Sequence, residues 1–252
     1  LKPMIDQPIR PAATVIIARA AAPQYEILML RRTNAAVFAG GMYVFPGGKI
    51  DEADADPELI NFISPLGAPQ LRQQIALGDA WQACWVAGIR ETFEESGILL
   101  AYTADGVLAN TQAMNLDQAR AEIHDGTLTL KALCAREGLT LAVDQIHYFN
   151  RWVTPPGRPR RFDTRFFITS APLNQLHRHD GAETTESLWI SPTKALDRNA
   201  QDDFGMMTVT IKQLETLNQY QSLTSLLTMA SGQTDFPYYA PVLPVAPAAG
   251  NP

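Results

Sequence analysis

Residues 90–97 of the chain read Arg90-Glu91-Thr92-Phe93-Glu94-Glu95-Ser96-Gly97, and this acidic segment is the most informative in the sequence. It predicts the last turns of a helix that begins at an Asp79 N-cap and stops at Gly97. Three glutamates at positions i, i+3 and i+4 project from one face of such a helix. Because a helix C-terminus disfavours anions and like charges repel, this cluster needs positive charge nearby. Its oxygens suit hard divalent cations, so the helix end predicts a site for Mg²⁺ or Mn²⁺.

An ordinary solvated acidic helix end is the alternative explanation of the cluster. At a usage of about 6% per residue type, the pattern R-E-x-x-E-E-x-G arises by chance with odds on the order of 10⁻⁴ over a chain of this length. The fixed spacing therefore favours a functional site.

The residues before this helix predict a strand, a loop and an inserted segment. The apolar run Met42–Phe45 ends at Pro46-Gly47-Gly48, which predicts a strand followed by a loop. Residues 55–79 carry short helical patterns broken by prolines and a glycine, and they are predicted to form a helical insertion. Gly88, in the middle of the acidic helix, predicts that another element approaches its backbone closely.

The rest of the chain alternates strand and helix patterns. A hairpin is predicted over Ala13–Ala18 and Tyr25–Leu30, and three further strands over Gln145–Val153, Arg161–Thr169 and Ser187–Ile190. Helices are predicted over Leu116–His124 and Leu128–Arg136, from Ser191-Pro192 onward, and, as one helix or a helix pair, over Val209–Met229. We expect an α/β fold over residues 8–230, with a mixed sheet between helices, a helical insertion and a C-terminal helical extension. Residues 237–252 are rich in proline and are expected to form an extended tail.

Composition narrows the function classes. The chain has 26 acidic and 20 basic residues, a formal charge of -6, and 46% apolar residues, so disorder and a nucleic-acid-binding surface are not expected. The apolar stretch 12–22 is too short to span a bilayer, and no membrane partner is expected. Cys84 and Cys134 lack CxxC spacing and the four histidines lack zinc-site spacing. We expect a cytoplasmic protein.

Upstream residues extend the helix pattern into a longer signature. It resembles that of the Nudix hydrolases, G-x5-E-x7-R-E-U-x-E-E-x-G-U, where U is a bulky apolar residue. The matching positions are Gly48, Arg90, Glu91, Glu94, Glu95, Gly97 and Ile98. Asp54 stands where the first Glu belongs, 35 residues rather than seven separate it from Arg90, and Thr92 takes the U position within the helix. The chain therefore carries an insertion of 28 residues inside the signature.

Four further strings resemble the acyl-CoA diphosphatase branch of this family. They are LMLRR at 28–32, GMYVFPGGKID at 41–51, RFDT at 161–164 and WISP at 189–192, and the likeness runs from about Pro11 to Leu227. Arg32 matches the first arginine of a CoA-associated motif. Thr33 replaces the Ser or Ala that follows it, and Val37 replaces its second arginine.

The resemblance implies a metal-dependent hydrolase of a diphosphate linkage. Two or three Mg²⁺ or Mn²⁺ ions would be held by Glu91, Glu94, Glu95 and the carbonyl of Gly47. Arg90 would orient a carboxylate, and Glu183 would serve as an extra ligand or as the general base.

A second candidate for that extra glutamate is Glu186. Substrate binding is predicted for Arg32, Gly48 and Arg161, the last within a basic patch that also holds Arg158, Arg160 and Arg165. Coenzyme A or acyl-CoA would give adenosine 3',5'-bisphosphate and a 4'-phosphopantetheine derivative.

Two other functions stay open from the sequence. One is a Nudix hydrolase of ADP-ribose, a dinucleotide or a nucleoside triphosphate. The other is a catalytically silent Nudix-like ligand-binding or regulatory domain, which the intact glutamates disfavour. Whether the protein forms a homodimer also stays open.

Overall fold

The computed structural model describes residues 7–36 and 39–240. Val37 and residues 241–252 of the proline-rich tail lie outside the described residues. The strands are β1 (Ile9–Ala20), β2 (Tyr25–Arg32), β3 (Tyr43–Val44), β4 (Gly47–Lys49), β5 (Ala101–Tyr102), β6 (Thr140–Leu141), β7 (His147–Val153), β8 (Arg161–Ser170), β9 (Thr184–Ile190) and β10 (Tyr238–Tyr239). The helices are α1 (Ala68–Leu77), α2 (Trp81–Ser96), α3 (Asp117–His124), α4 (Leu130–Glu137), α5 (Pro192–Ala200), α6 (Thr208–Leu217) and α7 (Leu223–Gly232).

The main sheet is mixed, as the sequence predicts. Its strands follow the order β10-β7-β8-β1-β2-β3, with β4 also paired to β1 and β9 to β2. β1 runs parallel to β8 and β10 runs parallel to β7, whereas the other pairs in the sheet are antiparallel. β5 and β6 form a separate two-stranded sheet.

Helices cover both faces of the main sheet. Successive residues of β1 point to opposite faces, so Val15 packs in a core with Trp85 of α2. Ile16 packs in a second core with Leu214 of α6. We call the α1–α4 side the α2 layer and the α5–α7 side the α6 layer. The α/β prediction of a sheet between helices is confirmed.

Helix α2 differs from prediction at its start and agrees at its end. A 3₁₀ turn, Gly78–Ala80, precedes the helix, and Asp79 provides no side-chain cap, so the predicted Asp79 N-cap is wrong. The Trp81 amide instead donates to the Gly78 carbonyl. Gly97 ends the helix in the left-handed conformation, with φ of 74°. At Gly88 a Cβ would lie 3.0 Å from Val15 Cγ2, which confirms the close approach of another element.

The inserted segment packs back onto the domain. It contains two 3₁₀ stretches, Glu52–Ala55 and Pro57–Phe62, followed by α1. The buried Gln73 of α1 accepts a hydrogen bond from the Tyr148 amide of β7 and donates to the Ala230 carbonyl of α7. The predicted Val209–Met229 helix or helix pair is the pair α6 and α7. Within the described ranges, no helix combines the length and the apolar character needed to cross a membrane.

Candidate active site

The acidic end of α2 lies directly against the glycine strand β4. The Gly47 amide donates to Glu95 Oε2 at 2.9 Å. A Cβ on Gly48 would lie 2.6 Å from the Glu91 carboxylate, closer than real Cβ contacts allow. Only glycine therefore lets the backbone of residue 48 pass beside Glu91 without displacing it. The fold thus brings Gly47 and Gly48 to the predicted carboxylate cluster across 43 or more positions of the chain.

Arg90 organises the carboxylates around it. Its Nε and Nη2 donate to the two oxygens of Asp54, each at 2.9 Å. Nη2 also donates to the Lys49 carbonyl at 2.9 Å, and Nη1 donates to Glu91 at 2.9 Å and Glu94 at 2.8 Å. Such bidentate, charge-assisted bonds fix the guanidinium and the carboxylates in one geometry. Asp54, one carbon shorter than the usual Glu, is 1% exposed and holds the start of the insertion against the helix.

Burial sets the protonation of this cluster. It raises the pKa of Glu91 to about 7, with Arg90 opposing the rise and Glu94 adding to it. It also holds the pKa of Glu95 well above its ordinary value, and the Glu91 charge contributes further. Burial alone would lower the pKa of Arg90, but its bond to Asp54 and the Glu91 charge outweigh this and raise it. Arg90 therefore stays cationic among an excess of carboxyl groups.

The donor set fits a hard divalent cation. Three buried or nearly buried carboxyl groups, Asp54, Glu91 and Glu94, pair with the Arg90 guanidinium, and the buried Glu95 carboxylate accepts from the Gly47 amide. Burial raises the pKa of Glu91 and of Glu95, and neighbouring carboxylates add to the rise. Within the described part of the chain, no three acidic, histidine or cysteine side chains are already arranged as metal ligands. In this arrangement Arg90 Nη1 binds both Glu91 and Glu94.

Arg32 links the helix cluster to the loop before β9. Its Nη1 lies 3.9 Å from Glu95 Oε1 and its Nη2 lies 3.7 Å from Glu183 Oε2. These separations are ion pairs rather than hydrogen bonds. The Nε of Arg32 is buried and has no hydrogen-bond partner among the described residues. Arg32 and Glu183, both predicted site residues, therefore meet at the cluster, and one N–H of Arg32 is left to be satisfied.

Glu186 lies elsewhere. Its carboxylate accepts a hydrogen bond from the Tyr43 hydroxyl at 2.9 Å and lies 3.8 Å from Arg31 Nη1. Glu183 contacts Arg32 instead, so the two candidate glutamates point to different neighbours. The structure brings Glu183, and not Glu186, to the acidic helix end.

Arg161 lies at the far end of its strand from the glycine loop. In the β1–β8 register Arg161 is opposite Ile9, whereas Arg165 is opposite Ala13, the residue that pairs with Gly48. Arg161 and Arg165 are four residues apart on the strand, which separates their backbone positions by roughly 13 Å. Arg161 Nε donates to the Thr154 carbonyl. The geometry thus does not join Arg161 to the carboxylate cluster in the way it joins Arg32.

The rest of the predicted basic patch is partly neutralised. Asp163 accepts two hydrogen bonds from Arg151, each at 2.7 Å, and lies 2.8 Å from Arg165 Nη1. One carboxylate thus pairs with two guanidinium groups beside the strand. This patch is less cationic than its arginine count suggests.

Helix α3 adds two residues that the sequence did not assign to the site. His124, one of the histidines without zinc-site spacing, has its Nδ1 3.8 Å from Glu94 Oε2. Arg120 donates to the carbonyls of Glu94 and Arg178 at 2.9 and 2.7 Å. His124 has no spacing signal because tertiary packing of α3 on α2 brings it there. Arg120 does have a spacing signal, since it lies three residues before the buried Ile123, on the same face of α3.

A cavity of about 800 Å³ lies beside β5, away from the carboxylates. Its lining includes Tyr102, Val107, Met114 and the Pro172–Asn174 stretch. That stretch begins the same loop that carries Glu183. The cavity and the acidic helix end therefore share one connecting segment.

Comparison with known proteins gives a consistent family. A model described as the NUDT19 Nudix domain matches residues 70–214, more than half of the chain. The acyl-coenzyme A diphosphatase NUDT19 of Gallus gallus is 26% identical, over 86% of this chain and 70% of that protein. The Homo sapiens protein of that name is 25% identical, over 80% of this chain and 63% of that protein.

A solved structure shares the fold across nearly its whole length. The crystal structure of a Nudix hydrolase from Alicyclobacillus acidocaldarius superposes with a TM-score of 0.75 and 29% identity, over 88% of this chain and 96% of that one. The curated relatives are longer, and the chain spans 54% to 70% of the length of four of them.

Proposed function

The chain belongs to the NUDT19 Nudix domain family, and on that premise we propose that it is a metal-dependent hydrolase of CoA or acyl-CoA. The single observation that carries the proposal is the joining of the signature carboxylates, the glycine strand and Arg32 at one helix end. The reaction cleaves the diphosphate linkage with one water, giving adenosine 3',5'-bisphosphate and a 4'-phosphopantetheine derivative. The NUDT19 relatives are named acyl-coenzyme A diphosphatases, which supports this substrate class.

Glu91, Glu94, Glu95 and the carbonyl of Gly47 are the proposed ligands of Mg²⁺ or Mn²⁺. Bound divalent cations supply screening of the diphosphate charge and a more acidic water. Arg90 holds Glu91 and Glu94 in place through Nη1, so its role is to orient ligands rather than to contact substrate.

Glu183 is the proposed general base. Its side chain is half exposed, so it can accept a proton from water and release it to solvent, whereas Glu95 is buried. Arg32 lies between the two carboxylates and ties Glu183 to the site. A helix glutamate is the alternative base, and removal of Glu183 distinguishes the two.

Arg32 is also the proposed phosphate contact. Its partnerless Nε and its two long ion pairs leave guanidinium N–H groups to donate to a substrate oxygen. Gly48 lies beside Glu91 and would bound the diphosphate position through its backbone. Arg161 is the proposed contact to a part of the substrate farther from the carboxylates, because it lies four residues along β8 from Arg165, which is level with Gly48.

Two rival functions make different predictions. A Nudix enzyme for ADP-ribose, dinucleotides or nucleoside triphosphates would use the same carboxylates but gain nothing from a 3'-phosphate contact. A silent binding domain would bind ligand without turnover. The buried, Arg90-ordered carboxylates favour an enzyme over a silent domain, since they carry a desolvation cost that binding alone does not require.

The test is product analysis by mass spectrometry. Purified protein is incubated with CoA, acyl-CoA, ADP-ribose, NADH or 8-oxo-dGTP, each with Mg²⁺, with Mn²⁺ and with EDTA. We expect metal-dependent release of adenosine 3',5'-bisphosphate from CoA or acyl-CoA at a higher kcat/KM than any other cleavage. Preferred cleavage of ADP-ribose would establish the first rival, and binding with no cleavage of any substrate would establish the second.

The remaining expectations concern the whole protein. We propose that residues 8–230 form one domain, with the insertion at about 55–79 and the tail at 237–252. A cytoplasmic location is tested by fractionation, and homodimer formation is tested by light scattering. We expect no binding to a nucleic-acid polymer or a membrane.

A further inference from the structure

The loop between β8 and β9, residues 171–183, is fastened at several points, one of which is the end of α2. Near its start, Gln175 donates to the carbonyls of Leu99 and Ala109. In its middle, the Arg178 amide donates to the Ser96 carbonyl at 2.8 Å. At its end, the Thr33 amide donates to the Glu183 carbonyl at 2.9 Å. This 171–183 loop therefore runs from the cavity beside β5 to the carboxylate cluster.

Arg120 of α3 ties the middle of this loop to the catalytic helix. Its Nε donates to the Glu94 carbonyl and its Nη2 donates to the Arg178 carbonyl. The Glu94 carbonyl lies in the last turn of α2, where backbone oxygens lack intrahelical partners. One guanidinium thus caps the acidic helix and holds the loop at the same time. A Cβ on Gly97 would lie 3.1 Å from Arg120 Nη1, so the helix terminator leaves room for this contact.

The turn after Arg178 carries this constraint on to Glu183. Asp180 accepts hydrogen bonds from the amides of Ala182 and Glu183 through Oδ1 and from the Thr184 hydroxyl through Oδ2. A turn closed in this way is stiff. Fixing Arg178 therefore fixes the position of Glu183, five residues later.

Packing alone does not account for an arginine here. Arg120 is 7% exposed, and its hydrogen bonds are to backbone carbonyls rather than to a carboxylate. A buried guanidinium is costly, and an apolar side chain of similar volume is often as stable or more stable. A cation at the C-terminal end of a helix is favourable, and this helix end also carries three glutamates. Arg120 therefore adds positive charge at this helix end, in addition to that of Arg90.

We propose that Arg120 is a positioning residue that locks the 171–183 loop to the end of α2 and thereby holds Glu183 at the carboxylate cluster. The inference rests on the proposed function, because Glu183 is the general base there. It predicts that Arg120 matters to turnover only while Glu183 is present.

The test combines two substitutions with steady-state kinetics. Arg120→Met keeps the apolar stem and removes the donors, and it is made alone and together with Glu183→Gln. We expect kcat to fall at least about tenfold in the wild-type background, since a misplacement near 1 Å can cost a hundredfold. In the Glu183→Gln background we expect a change below about twofold, which is the non-additivity of residues that act together. KM should change little in both backgrounds.

Two further variants serve as controls. Arg120→Lys keeps the charge but cannot bridge two carbonyls with a planar fork, and we expect a smaller loss than for Arg120→Met. Arg178→Ala removes only the exposed ion pair with Asp117 and leaves the Arg178 carbonyl in place, so we expect near-normal kcat. Equal losses from Arg120→Met in both backgrounds would overturn the proposal.

Hydrogen exchange separates this inference from the proposed function. In Arg120→Met, amides of residues 176–184 should exchange at least about tenfold faster, while those of residues 84–90 keep their protection. If Arg120→Met does not fold, Arg120→Lys is used for the same measurement. A wild-type protein without hydrolase activity would refute the proposed function and leave exchange to decide the loop contact. Unchanged exchange would overturn the role of Arg120.

Discussion

The two helical layers of this protein bury different kinds of side chain. The α2 layer buries charges: Asp54 is 1% exposed and Glu95 is 4% exposed. In the described part of the α6 layer, by contrast, a neutral pair is typical, in which Asn150 and Gln213 exchange two amide hydrogen bonds at 2.9 Å. Both layers pack on alternate residues of the same strands.

The two layers therefore contribute differently to the free energy of folding. Apolar side chains and a satisfied neutral pair stabilise the α6 layer at little electrostatic cost. Buried carboxylates with raised pKa values cost folding free energy in the α2 layer; Arg90 compensates part of this cost, and the proposed cation would compensate more. Substitutions in the two layers should therefore separate activity from stability.

The carboxylates of the α2 layer should be needed for turnover and not for folding. Glu94→Gln and Glu95→Gln are each expected to lower kcat at least about a hundredfold, because each removes an anionic ligand. The unfolding temperature of metal-free Glu95→Gln should stay the same or rise, since the raised pKa of Glu95 means that its buried charge opposes folding. The measurements are steady-state rates with Mg²⁺ and calorimetry in EDTA. Near-normal rates in both variants, with a wild type that EDTA inactivates, would show that the metal site lies elsewhere.

The α6 layer should show the opposite behaviour. Leu214 is fully buried on α6, and Leu214→Ala should lower the free energy of unfolding by about 2 to 5 kcal/mol. Turnover per folded molecule should be unchanged. Urea unfolding and active-site-normalised rates measure the two quantities. The control is Lys212→Ala, which removes an exposed pair with Glu215 and should change stability by less than about 1 kcal/mol. A parallel loss of kcat in folded Leu214→Ala would show that the layers are coupled.

Arg32 should distinguish substrates rather than layers. Arg32→Ala is expected to raise KM for CoA several-fold more than KM for dephospho-CoA, which lacks the 3'-phosphate, because a charge-assisted bond contributes about 1.5 to 3 kcal/mol. The neighbouring Arg31→Ala is a matched control, since Arg31 faces Glu186 and Tyr43. Equal effects of Arg32→Ala on both substrates would assign Arg32 to the diphosphate or to the fold.

The smallest expected signal is a release of protons on metal binding. With its pKa raised to about 7, the Glu91 carboxyl carries a proton part of the time in metal-free protein at neutral pH, and the pKa of Glu95 is also raised. Cations bind the deprotonated form, so Mg²⁺ should displace less than about one proton per molecule from Glu91 at pH 7, and less as pH rises above that pKa. Calorimetry in two buffers of different ionisation enthalpy measures it. Glu91→Gln should release fewer protons, and equal release would contradict the assignment.

Local signals explain what the sequence predicted well. The end of α2 could be placed because Gly97 is a C-terminal stop with a backbone signature of its own. The mid-helix Gly88 correctly indicated the close strand. The start of α2 was misplaced because Asp79 has capping chemistry, whereas the chain enters through a 3₁₀ turn that needs no cap.

Long-range packing explains what the sequence could not provide. The parallel pairing of β1 with β8 joins residues about 150 positions apart, and no local pattern encodes it. The roles of Arg120 and His124 depend on how α3 packs against α2, and the separation of Glu183 from Glu186 depends on the register of β9. Residue types could be predicted at the site, but the neighbours of each residue required the fold.

The first residues of the proline-rich tail also have a consequence for how the protein behaves in concentrated solution. β10 lies parallel to β7 at the border of the sheet, where the Arg151 amide donates to the Pro237 carbonyl and Tyr239 stacks on Trp152. Without this segment, β7 would present unpaired backbone groups at an open sheet border, which is a template for strand pairing between molecules. We therefore expect the residues of β10 to limit self-association by covering β7. A chain shortened at Gly232 should aggregate more readily than the intact one.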